Sequence, residues 1–304
     1  MEDYHKPVLL GEVLVYLRLT NAHSKTKIKV IDATLGGGGY SIAFCKKGVS
    51  VLGIEYDPMM FKIAQTRLKQ ACPPNESFVG SFTLVKGNFS EIKNVALVHK
   101  FDKCDGVVFD LGVSTQQLTS PIRGFSFQNP NALLDMRMDH NAQSVKASDL
   151  LNALDKANLK KMFSTTCEYM ETLGLVKKIQ ERRVVKPFTT VGDFLDVTKG
   201  IFKAKKGVNP VTKAFMALRM AVNSELENLD AALDSAPELL KSGGRLVVVS
   251  FHSGEDRIVK QKMLNFQKND LGKVVTKRPV VSSDEEIEMN PRARSAKLRV
   301  FEKK

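Results

Sequence analysis

At 304 residues the chain can form one large domain or two ordinary ones, and 43% hydrophobic with 26% charged residues is the composition of a globular protein. No apolar run approaches the roughly 18 residues of a membrane span, and Met-Glu-Asp-Tyr-His lacks the features of a signal or transit peptide. The net charge of +13 favours a polyanionic partner, nucleic acid above all.

The first informative segment, residues 28–40, is an apolar run that ends on Asp32 and passes into Gly36, Gly37, Gly38 and Gly39. Such an order predicts a buried parallel strand entering a ligand-binding loop, where glycines let backbone N–H groups approach the ligand. A second strand, 51–55, ends on Glu55, with Asp57 just beyond; an acid at this place commonly holds a ribose hydroxyl pair. A helix is predicted over 59–71, with Pro58 suited to its first turn. A strand at 82–85 leads to Gly87, Asn88 and Phe89, and a β-rich run at 105–110 lands on Asp110. Strands alternating with helices predict a parallel sheet with ligands at the carboxyl ends of its strands.

From about Thr119 the pattern turns helical, with stretches at 147–163 and 171–183 and no convincing buried strand over 126–213. Residues 211–240 read as one amphipathic helix through Phe215, Leu218, Val222, Leu226, Leu229 and Leu233, stopped at Ser242, Gly243 and Gly244. A strand follows at 245–250. Two more, at 274–281 and 296–301, are joined by an acidic loop and predict an antiparallel hairpin at a sheet edge. The economical division is an α/β domain of residues 1–118 and 211–304, interrupted by a helical insert of 119–210.

Two cofactor classes use a glycine loop with a following acid. In a dinucleotide fingerprint counted from Gly36 and Gly38, the third glycine falls on Ser41, and Asp32 would face a pyrophosphate. S-adenosylmethionine, with an ammonium, a sulfonium and a ribose, suits Asp32, the loop and Glu55 better. A nicotinamide oxidoreductase is the distant alternative. Cys45, Cys72, Cys104 and Cys167 have no metal-type spacing and read as reduced thiols, so no metal is expected.

Asp110 follows the fourth strand, beside the glycine loop, where a carboxylate would adjoin the reactive methyl. An exocyclic base amine is a poor nucleophile, and oxygen acceptors such as Asp110 and the Leu111 carbonyl would orient it and localise its lone pair. The segment 250–257 follows the fifth strand onto the same side: Phe251 could stack on a base, and His252 could bond a phosphate or base edge. Glu255 and Asp256 could instead open the next helix. Basic residues group as Lys199, Lys203, Lys205, Lys206 and Lys213, and as Lys273, Lys277, Arg278, Arg292, Arg294, Lys297 and Arg299, two candidate phosphate tracks.

The segments 5–13, 32–41, 110–114, 123–127, 134–139, 217–226, 250–260 and 290–295 together resemble the MraW/RsmH family over nearly the whole chain. The resemblance implies a class I Rossmann-like S-adenosylmethionine methyltransferase sheet with an inserted all-helical substrate-recognition domain. The implied reaction is methylation of N4 of a decoding-site cytidine in small-subunit ribosomal RNA. It implies cofactor contacts at Gly38, Gly39, Tyr40, Glu55, Phe89, Asp110 and Gln117, to which the loop reading adds Asp32 and Gly36. Asp110, Phe251 and His252 are the expected catalytic residues. Arg137, Arg219, Asn223, Ser250, Arg257, Arg292 and Arg294, all within the matching segments, are the expected RNA contacts. Tyr40 stands where many members have His, Glu55 where many have Asp, and Gly254 where leucine is frequent; the segments 129–133 and 167–169 also depart from the family pattern.

The expected partners are small-subunit ribosomal RNA or the assembled small subunit, with a homodimer among the open arrangements and no membrane. Bacterial cytoplasm is the expected location, an organelle the alternative. The rival from another class is a catalytically weak ribosome-assembly factor that uses this fold only to bind RNA, against which intact Asp32, Glu55 and Asp110 argue.

Overall fold

The computed structural model describes residues 7–20, 28–73, 80–203 and 209–304; Lys205 and Lys206 lie outside them. The chain divides into two compact units, one of Met1–Val113 with Leu226–Lys304 and one of Ser114–Glu225.

The first unit is built on seven strands: β1 (Lys29–Asp32), β2 (Ser50–Glu55), β3 (Phe82–Lys86), β4 (Cys104–Asp110), β5 (Leu240–Ser250), β6 (Gly272–Val274) and β7 (Lys297–Lys303). Their order is β3-β2-β1-β4-β5-β7-β6. The first five are parallel, while β7 runs antiparallel to both β5 and β6. The central strands are near-continuous apolar runs because both faces are covered. Ile31, Leu52, Val107, Phe109 and Val248 pack in one cluster; Val30, Val51, Val108, Val247 and Val249 pack in the other. The order reverses at β1 and β4, so β1, β2 and β4 end at the switch point where open α/β sheets bind ligands.

Three expectations need correction. Residues 211–240 are two helices, Thr212–Asn223 and Glu225–Leu239, because Ser224 adopts a left-handed conformation at φ 48° and breaks the backbone without interrupting the apolar period. Gly243, at φ 75°, belongs to an irregularity inside β5, which is extended back to Leu240, instead of stopping a helix. The C-terminal hairpin is shorter and earlier than expected. Of residues 275–281 only Val280 bridges β7, at Leu298. The acidic stretch folds as a helix, Asp284–Met289, capped by Ser283 and carrying three acids in its first turn, where the helix dipole favours them. A 3-10 turn, Pro291–Ser295, then leads into β7.

That C-terminal stretch is also not remote from the glycine loop. Ile287, Ala293 and Ala296 join Tyr40 and Phe44 in one hydrophobic cluster, and Glu286 Oε1 accepts from Leu9 N at 2.6 Å.

Among its described residues the second unit is helical, with one isolated bridge between Leu133 and Thr190. Its bounds are wider than 119–210, because the helix Thr212–Asn223 packs on those of Ala147–Ala153 and Lys156–Phe163. Phe194 anchors its core, stacked on Phe163 with ring centroids 6.1 Å apart and tilted against Phe215 at 5.2 Å. All four cysteines are buried thiols, and no helix among the described residues is long and apolar enough to cross a membrane.

Candidate active site

The carboxyl ends of β1, β2 and β4 bring three acids to one edge of the sheet, and each is held differently. Asp32 ends β1 fully buried. Its Oδ2 accepts the Ser41 hydroxyl at 2.6 Å, while its buried Oδ1 has no hydrogen-bond partner. Burial pushes the carboxyl up from 3.8 to about 6, against the lowering effect of the bonds from Ser41 and Thr34. Ser41, which breaks a dinucleotide fingerprint, is therefore the residue that steadies Asp32. Sequence reading noticed it only as a missing glycine.

Between Asp32 and the helix Gly39–Cys45 the chain turns through Gly36 at φ 52° and Gly38 at φ 80°, conformations that disfavour a side chain. A Cβ on Gly37 would lie 2.9 Å from Nη1 of Arg67, whose guanidinium donates to the Gly37 carbonyl. One on Gly39 would lie 2.5 Å from Pro7 Cγ. The loop is thus drawn tight against its own support, with Arg67 a further residue that the sequence did not single out.

Glu55 ends β2 and closes the loop from the other side. Its Oε2 accepts from Gly36 N at 2.7 Å and its Oε1 from Asp57 N at 2.8 Å, and the Tyr56 N–H bonds the same carboxylate. Burial raises this carboxyl from 4.5 to about 7. Asp57 caps the helix Pro58–Ala71, with Pro58 in its first turn as expected. Beyond β3, Phe89 is half-buried and meets Phe109 edge to face at 5.8 Å.

Asp110 ends β4, one strand over from Asp32. Its backbone N–H donates to Thr34 Oγ1 at 2.5 Å. Its buried Oδ1, like that of Asp32, has no hydrogen-bond partner. Burial first, then the charges of Asp32 and Glu255, hold its carboxyl well above the usual carboxylate range. Two buried, unpartnered carboxylate oxygens on adjacent strands are costly unless a ligand satisfies them. The ammonium of a cationic ligand suits the oxygen of Asp32, an N–H donor of a second ligand suits that of Asp110, and a ribose diol suits Glu55. The donor set therefore fits S-adenosylmethionine.

The β5 end contributes Phe251. Its ring carbon Cδ2 lies 3.8 Å from where a Cβ on Gly112 would stand, so the ring rests on the turn that follows Asp110. The Leu111 N–H is used by Val249 O at 2.9 Å.

Several expected site residues are committed elsewhere. His252 caps the helix Ser253–Lys268, its Nδ1 accepting from Gly254 N and Glu255 N at 3.2 and 3.3 Å. That role uses Nδ1 to satisfy helix N–H groups and accounts for a histidine directly before the helix, while Nε2 is buried without a hydrogen-bond partner. Ser250 is buried at the end of β5, its hydroxyl 3.4 Å from the Lys297 carbonyl. The Tyr40 phenol is turned into the core, donating to the Val8 carbonyl, which leaves its backbone as the part facing the loop.

In the helical unit, Gln117 forms a capping box with Ser114. Arg137 makes a two-pronged pair with Asp135 at 2.7 and 2.8 Å, and Arg219 does the same with Glu225 at 2.7 Å on both arms. Asn223 ties loop to helix, donating to Met136 O and Arg219 O and accepting from Met138 N at 3.0 Å. All three make ties within their own unit.

The basic tracks thin in the same way. Arg299 and Lys297 pair with Asp256, Lys273 with Glu302, Lys199 with Asp196, and Lys213 with Glu168 and Glu171. Lys203, Arg257, Lys277, Arg278 and Arg294 remain exposed. Arg292 is half-buried, and burial pulls its guanidinium below its ordinary value.

Comparison with known proteins agrees with this architecture. The chain matches the MraW methylase family over residues 2–304. It is similar to proteins named "Ribosomal RNA small subunit methyltransferase H" in three bacteria. That of Methylacidiphilum infernorum is 39% identical, over 98% of this chain and 94% of the relative. That of Dictyoglomus thermophilum is 40% identical over 100% and 98%, and that of Carboxydothermus hydrogenoformans 39% over 100% and 99%. With the glycine loop, the three strand-end acids and a match that runs the length of the chain, this protein belongs to the MraW methylase family of S-adenosylmethionine-dependent methyltransferases.

Proposed function

We propose that the protein methylates N4 of a decoding-site cytidine in small-subunit ribosomal RNA, with Asp110 as the acceptor that orients the amine and takes its proton. The names of the relatives support ribosomal RNA of the small subunit as the substrate class. The observation that carries the residue assignment is the buried Oδ1 of Asp110, a hydrogen-bond acceptor with nothing to accept.

When bound, S-adenosylmethionine supplies an electrophilic methyl carbon whose bond to sulfur breaks with both electrons kept by sulfur. Asp32 would hold the ammonium end, the glycine loop would give N–H donors, and Glu55 would take the ribose hydroxyls. The N4 lone pair of cytidine is delocalised into its ring. Accepting one N–H at Asp110, and the other at the Leu111 carbonyl, turns that lone pair toward the methyl group. As the N–C bond forms, the displaced N4 proton goes to Asp110 and from there to solvent. Burial and the charges of Asp32 and Glu255 raise the proton affinity of Asp110, which favours its accepting that proton. Phe251 would stack on the base, which must leave its helical surroundings to enter. The half-buried Arg292 and the exposed Arg257 and Arg294 would meet phosphates. A ribosomal substrate is met in the bacterial cytoplasm, the location this reading entails.

The test is transfer of labelled methyl from S-adenosylmethionine to small-subunit particles, followed by digestion to nucleosides. Label in N4-methylated cytidine is expected. Label confined to another nucleoside, or none, would overturn the assignment.

A further inference from the structure

Glu255 is 3% exposed and sits where β5 hands the chain to the helix Ser253–Lys268. Its Oε2 accepts from Phe251 N at 2.9 Å and from His252 N at 3.3 Å. In return, His252 Nδ1 accepts from Glu255 N, which closes a reciprocal cap. The ring's Nε2 lies 3.1 Å from Glu255 Oε1 without a hydrogen bond between them. One carboxylate therefore gathers the backbone N–H groups of the two residues that follow the strand and stands beside the imidazole of the second.

The geometry of that turn reaches Asp110. β4 and β5 are in register with Asp110 opposite Val249, and the Phe251 ring lies over Gly112. We propose that Glu255 is a positioning residue for the methyl transfer: it fixes the turn that sets the Phe251 ring against the Asp110 loop, where the acceptor base would stack. This rests on Asp110 and Phe251 serving the reaction proposed above.

A second consequence follows from charge. Asp110 is faced by Asp32 from β1, by the Tyr40 phenol from the helix after the glycine loop, and by Glu255 from the helix after β5; His252 faces Glu255. Of the two acids that raise the proton affinity of Asp110, Glu255 is the one outside the cofactor loop. Removing its charge while keeping its shape should make Asp110 a weaker base.

Two variants of the full chain separate these effects in single-turnover methyl transfer to small-subunit particles, followed across pH. Glu255→Gln keeps an oxygen for the Phe251 and His252 N–H groups, so donor affinity should hold while the acidic limb of the rate profile moves to lower pH. Glu255→Ala frees the turn, and the rate should fall roughly ten- to a hundredfold at every pH, again with donor affinity retained by calorimetry. An unchanged profile in Glu255→Gln together with a wild-type rate in Glu255→Ala would overturn the proposal. Asp110→Asn, run in parallel, separates the two levels. If it too keeps the wild-type rate, the reading of Asp110 has failed; if it alone is slow, only the role given to Glu255 has.

Discussion

Asp110→Asn is expected to slow single-turnover methyl transfer by roughly 10²- to 10⁴-fold, the range a positioned proton acceptor contributes, with donor and RNA both saturating. Asparagine matches aspartate in size, and the Asp110 backbone N–H would keep its bond to Thr34. What is lost is a negative oxygen able to take a proton. Its replacement by an amide also removes a buried charge repelled by Asp32 and Glu255, so the fold should hold or gain stability. A large loss of rate in a protein that melts no earlier than wild type would mark the site as built for reaction at the expense of stability. A wild-type rate would remove Asp110 from the chemistry.

Asp32→Asn should separate stability from cofactor affinity even more sharply. Asp32 takes its proton at about 6 in the folded protein against 3.8 as its ordinary value. Between those values the folded state binds more protons than the unfolded one. Stability therefore falls as pH rises from about 4 to about 6 and stays lower above that. At neutral pH the ionised group costs up to about 3 kcal/mol. Asparagine avoids that cost, so the variant without donor should melt at higher temperature than wild type at pH 7.5 and lose the advantage near pH 4.

Its affinity for S-adenosylmethionine should fall, since losing a hydrogen bond to a charged group costs roughly 1.5–3 kcal/mol. Wild-type affinity should weaken as pH drops through about 7 and then about 6, where Glu55 and Asp32 take up protons. Calorimetry across pH, with melting curves on the same preparations, checks both. Unchanged affinity in Asp32→Asn would reject Asp32 as the ammonium partner.

The parts of this molecule that were legible in sequence are those whose signal is local. Apolar runs ending on Asp32, Glu55 and Asp110 announced β1, β2 and β4, because a strand covered on both faces must be apolar. Pro58 after Asp57 marked a helix start to within a residue. The misses share a different cause. Ser224 breaks 211–240 by backbone conformation while the apolar period continues across it, so periodicity could not reveal the break.

Arg137, Arg219 and Asn223 carry the residue types of an RNA contact, but their partners Asp135, Glu225 and Met138 are found only once the chain is folded. Arg299 and Lys297 are cancelled by Asp256, some forty residues away, which no reading of a basic cluster can see. Glu255 and Asp256 open the helix after β5, as their place in the sequence suggests, but that His252 caps it and that Glu255 also holds the turn before it show only in the folded chain.

The most direct test is mass spectrometry of nucleosides from the small-subunit ribosomal RNA of cells with and without this protein, with wild-type and Asp110→Asn genes restored in turn. Methylation at N4 of a decoding-site cytidine should vanish on deletion, return with wild type and stay absent or much reduced with Asp110→Asn. Full methylation at that atom in cells lacking the protein would contradict the proposed reaction.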